Sequence, residues 1–162
     1  MKLVCFLLFV ISTVLFTPEL SQVRKDFKLA TNDRESALAL RDKLETVSRE
    51  DNTVLVAYKG AVTALTAKYT KDNAERKDLF KNGVLLLEYA VAQKPDNIEI
   101  RCLRLGIQEN SPKFLKYRSN LDEDKIFILN NYQKTTSQAV KDFVKAYILQ
   151  STEFNTEEKQ RF

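Results

Sequence analysis

Within the stretch "PKFLKYR", Lys113, Lys116, Tyr117 and Arg118 bring three cations and a phenol together, and Arg101 and Arg104 lie a short way upstream. Guanidinium and ammonium groups beside an aromatic ring could hold a phosphate, a peptide carboxylate or an acidic polymer, Arg by bidentate hydrogen bonds and Lys as a point charge. The simpler alternative has Phe114 and Tyr117 packing against the domain while the cations stay in water.

Other chemistries are excluded by residue type. The chain has no His, so imidazole acid-base catalysis, His-based triads and His metal sites are impossible. Beyond the N-terminal apolar segment Cys102 is the only cysteine, which removes internal disulfides and Cys/His zinc sites. Its neighbours Ile100, Leu103 and Leu105 predict a buried, inert thiol. Gly60, Gly83 and Gly106 are isolated on helical patterns and form no phosphate loop. Asn120, Asp122 and Asp124 have the alternation of a calcium loop, but Lys125 stands where its turn needs Gly and Asn131 where it needs a bidentate Glu. Carboxylate pairs such as Glu45 with Glu50, or Asp122 with Asp124, read as solvated helix faces. No cofactor is called for, and the chain reads as a non-enzyme.

The elements that must position the basic residues are helical. In 162 residues there are three Gly and three Pro, too little turn chemistry for a sheet protein, and apolar residues recur with helical spacing from segment to segment. The expected fold is all-α, of stacked antiparallel hairpins. A first helix spans about 23–30. A second, capped by Asn32, buries Ala37, Leu40, Leu44 and Val47. A third carries a ridge of small residues at Ala57, Gly60, Ala64 and Ala67, which predicts a close neighbour. The helix over 72–94 is apolar nearly all round, except for Lys81 and Glu88 on one strip, and is expected to be buried between neighbours. Pro95 ends it, and Asp96 with Glu99 would cap the next. Beyond that helix, with Arg101, Arg104 and Gln108 as its polar wedge, come a short helix after Ser111, one capped by Asp122 that packs Ile126, Phe127, Leu129 and Tyr132, and one opened by Thr135 and Gln138. The polar residues 151–162 read as a fraying tail.

"MKLVCFLLFVISTVLF" places Lys2 ahead of the apolar run Leu3 to Phe16, shorter than the roughly 20 residues of a membrane span. It reads as a signal peptide over 1–22, cut near Ser21 or Gln22, with an uncleaved anchor as the alternative. The domain then covers 23–150, exported to a periplasm or secreted, and meets a membrane only if the segment is retained. The net charge of +4 comes from 26 basic and 22 acidic residues without like-charge blocks, so nucleic acid is not an expected partner.

The helix over 72–94, with Gly83 and Ala90 at small positions, Leu87 at a bulky one and Pro95 closing it, resembles the second helix of a tetratricopeptide repeat (TPR). The spacing from Gly60 to Pro95 runs roughly ten residues past the repeat period, so the resemblance is to one divergent repeat over 53–97. The stretch "KPDNIEIRCLRLGIQENSPKFLKYRSNLDEDKIFI", with "AYKGA" upstream, is similar to uncharacterised exported bacterial helical proteins. That similarity implies fold and export alone, and it draws attention to Arg101, Arg104, Lys113, Tyr117 and Asp124. The functional expectation is a module holding a protein or peptide of the cell envelope in a groove between helices; the alternative is a binder of small ligands or anionic envelope polymer that uses the basic patch.

Overall fold

The computed structural model describes residues 17–162; the apolar run assigned to export lies outside them. Among the described residues every regular element is helical: α1 (Leu20–Ala30), α2 (Arg34–Lys43), α3 (Thr53–Thr66), α4 (Asn73–Gln93), α5 (Ile98–Glu109), α6 (Leu121–Asn131), α7 (Gln138–Gln150) and α8 (Thr156–Lys159). None is long and apolar enough to cross a membrane. The expected boundary at residue 22 falls inside α1, and Leu20 already packs on the core.

Side-chain caps start most of these helices by accepting an otherwise unpaired backbone N–H. Asp33 accepts from Ser36 N at 2.7 Å, Asp72 from Glu75 N at 2.8 Å, and Asn97 from Ile100 N at 3.0 Å. Four expected caps move accordingly. Asn32 yields to Asp33 and Asp96 to Asn97, because in each pair the second residue holds extended backbone just before the first turn. Thr135 yields to Ser137, while Asp122 lies inside the first turn of α6.

The small-residue ridge does bring α3 and α4 together. A Cβ built on Gly60 would stand 2.7 Å from the backbone of both Gly83 and Leu87, and one built on Gly83 would stand 2.6 Å from the Gly60 carbonyl oxygen and meet the Ala64 backbone. Gly60 facing Leu87 and Ala64 facing Gly83 makes the pair antiparallel. Only in the absence of side chains can two helix backbones approach so closely.

The expected burial of α4 on both sides is corrected. Only Gly83, Leu87, Ala90 and Val91 are buried, and Leu85 is 51% exposed. The doubly enclosed helix is α5, with ten of its twelve residues buried. Ile100, Leu103 and Ile107 face a core built with α1 to α4, while Ile98, Cys102 and Leu105 face a second core built with α6, α7 and the C-terminal segment. Cys102 is a buried free thiol whose pKa burial pushes well up, in keeping with the inert reading.

Two further expectations change. In α6 Ile128 is buried while Ile126 is 55% exposed, since the side facing α5 is chosen by Asp124 rather than by the most apolar stripe. The C-terminal residues do not fray: Phe154 is buried, α8 has a full capping box at Asn155 and Glu158, and the Phe162 ring meets Tyr132 edge-on at 4.7 Å. Two aromatic residues in an otherwise polar stretch are enough to tie it down. Among the described residues every buried side-chain nitrogen and oxygen has a partner.

Gly83→Ala should destabilise the protein by about 1–3 kcal/mol in urea unfolding, because backbone meets the new methyl group and that cost outweighs better helix propensity. Gly106→Ala is the control. Its Cβ meets a Tyr147 ring carbon at 3.3 Å, which a small ring shift relieves, so its effect should be much smaller. Equal losses at the two sites would contradict the close approach of α3 and α4.

Candidate functional site

Because α5 is enclosed, each of its polar side chains must find a partner inside the protein. Glu99, expected to stay at the helix start, instead turns toward α1 and α3. It accepts from Arg24 Nε at 2.7 Å and Nη2 at 2.9 Å, and from the Tyr58 hydroxyl at 2.7 Å. The Glu99 hydrogen bond raises the Arg24 pKa, and burial followed by the Glu99 charge pushes the Tyr58 phenol far up. Tyr58 in turn sits edge-on to Phe27 and Phe143, so one carboxylate gathers α1, α3, α5 and α7.

On another side of α5 the basic wedge meets Asp124, which is fully buried. Arg104 grips it through two hydrogen bonds of 2.7 Å, and Arg101 donates to the same carboxylate at 2.8 Å. Arg101 also donates to Glu123 and to the Pro95 carbonyl, and its guanidinium lies over the Phe127 ring. Arg104 reaches Glu88 of α4 at 3.1 Å, and the other oxygen of Glu88 accepts from the Tyr117 hydroxyl. Gln108 extends the row by accepting from the Asn120 backbone at 3.2 Å. The open cationic wedge read from the sequence is therefore a closed network that joins α4, α5, α6 and the α5–α6 loop.

Arg118 is committed as well. It donates to the carbonyls of Gln108, Glu109 and Ser111 at the C-terminus of α5 and pairs with Glu153. A cation there meets the negative end of the helix dipole. Glu109, which sequence reasoning passed over, accepts from Tyr147 Oη, Ser151 Oγ, Thr152 Oγ1 and Thr152 N at 2.6–2.9 Å. Burial by itself would raise this carboxyl, but these hydrogen bonds outweigh it and hold the pKa below its ordinary 4.5.

Of the six residues singled out in the sequence, Arg101, Arg104, Tyr117 and Arg118 are thus occupied internally, and Lys113 and Lys116 remain outward. Between those two stands Phe114, 79% exposed, where packing was expected. Its loop is held firmly: Leu115 N donates to Pro112 O and Lys116 N to Lys113 O, and Lys116 takes a left-handed φ of 52°. Its base is pinned by Arg118 and by Tyr117, which stacks edge-on against Phe80 at 5.9 Å and reaches Glu88. The polar strip of α4, noticed in the sequence through Lys81 and Glu88, also carries Lys77 and the exposed Leu85 at i, i+4 spacing. Among the described residues none of Lys77, Lys81, Lys113 and Lys116 pairs with a carboxylate. Two concavities elsewhere are shallow, one of about 270 Å³ beside Leu29 and Lys43 and one of about 340 Å³ where α5 and α7 begin.

Asp124→Ala should cost about 3–5 kcal/mol in denaturant unfolding, since it strands two buried guanidiniums; a loss below about 1 kcal/mol would contradict the network. The acid response is a second check. A carboxyl whose folded pKa is depressed contributes fully above its unfolded pKa and loses that contribution as pH falls through the folded value. Wild-type stability should therefore fall below about pH 4.5, and Glu109→Gln should flatten that part of the stability–pH curve; an unchanged slope would show that Glu109 does not contribute.

No protein-family model, curated protein or solved structure matches this chain, so the side chains themselves carry the functional reading.

Proposed function

We propose that this chain is an exported, non-catalytic interaction module of TPR-like stacked hairpins that engages a negatively charged component of the cell envelope. The observation that carries the reading is the corner around Phe114: an exposed aromatic ring between two unpaired lysines, on a loop whose base is fixed by Tyr117 and Arg118. An aromatic anchor on a preformed loop offers contact area at low entropic cost, and the lysines select for opposite charge. The consecutive antiparallel contacts of α3 with α4 and of α5 with α6 support the hairpin description. With four of the predicted ligand-binding residues engaged inside the protein, contact falls to the protruding corner rather than to a groove between helices.

The test is capture from an envelope extract on immobilised chain, beside Phe114→Ser and the double variant Lys113→Gln/Lys116→Gln. Material retained by the parent chain and lost with both variants is the expected result. Equal retention by all three would place recognition elsewhere.

A further inference from the structure

The partner of this corner can be narrowed by its shape. We infer that Phe114, with Lys113 and Lys116 flanking it in the loop and Lys77 and Lys81 on the adjoining helix α4, seats the domain reversibly on an anionic phospholipid bilayer surface; this rests on the corner being the contact surface proposed above.

Phe114 is borne outward on the short loop between α5 and α6 and lines neither of the two concavities described above. A protein partner would need a matching pocket for this protrusion. A bilayer interface needs none, because an aromatic ring settles at headgroup depth while lysine stems run along the apolar boundary and place their ammonium groups among phosphates.

Both signals needed for surface binding are present. One ring alone holds a protein only marginally, and a basic cluster supplies the second attraction. The basic residues come from two elements held together: Tyr117 meets Phe80 and Glu88, which sets the loop beside α4, whose exposed Lys77 and Lys81 lie within a turn of Phe80. Glu88 of that strip is already taken by Arg104 and Tyr117, and Asp78, three residues before Lys81, is the exposed carboxylate of the same face, so the lysines stay in excess. The loop is preorganised by its internal turn bonds and by Arg118, so docking requires little further ordering.

The protein lacks tryptophan, which makes Phe114→Trp a single reporter at the contact itself. Its emission should shift to the blue with vesicles of phosphatidylglycerol and phosphatidylcholine, stay unshifted with phosphatidylcholine alone, and revert in high salt. Adding Lys113→Gln and Lys116→Gln should weaken partition by roughly 30-fold, the equivalent of about 1 kcal/mol per lysine. Circular dichroism confirms that each variant is folded. Binding to phosphatidylglycerol vesicles without a blue shift would overturn the role of Phe114. A shift with polyglutamate peptide but not with vesicles would overturn the bilayer and keep the corner as an acidic-protein contact. Silence toward both would overturn the bilayer and the corner together.

Discussion

The grip of Arg104 on Asp124, two hydrogen bonds of 2.7 Å between groups almost wholly removed from water, is the constraint around which the second half of the protein is arranged. Charge in such a place is tolerated only with full hydrogen bonding, because losing hydration costs several kcal/mol per ion. Arg101 and Glu88 complete the set, and their demands fix where α6 and the loop before it can lie. A slide of α6 by one turn would carry Asp124 away from both guanidiniums. Apolar packing alone tolerates many such slides, whereas a bidentate carboxylate accepts one register.

The first half depends on a different constraint. Where α3 meets α4, two glycines and an alanine let backbones touch, so the contact is specified by missing atoms rather than by charge. The two devices meet at α5. Its Glu99 reaches back to Arg24 and Tyr58 in the first core, while its arginines reach toward α6. Rotation of α5 would break both sets at once, which makes that helix the reference for both cores.

This division of labour also separates the charges that hold the protein together from those left for a partner. Arg101, Arg104 and Arg118, each with a planar fork, fill the interior and the helix end, while Lys113 and Lys116, with compact and strongly hydrated charges, remain outside around Phe114. Tyr117 belongs to both groups, since its hydroxyl closes the network at Glu88 while its backbone carries the exposed loop. The stability of the interior thus becomes stiffness at the surface.

The helical class, the starts of most helices to within two residues, the break at Pro95, the close approach predicted by Gly60 and the burial of Cys102 are all legible in the sequence. Each is a local matter of periodicity, backbone freedom or apolar surroundings, readable within a few residues. Only tertiary structure decided that α5 and not α4 is the enclosed helix, because enclosure depends on how many neighbours arrive and α4 is the more continuously apolar of the two. Likewise Arg101 and Arg104 look like a surface wedge until Asp124, twenty residues further on, is brought against them. Glu109 needs partners more than thirty residues away, and Phe114 looks like a core residue until the loop turns it outward. Helical spacing reports which residues share a face; what that face meets is set by long-range contacts that local spacing cannot encode.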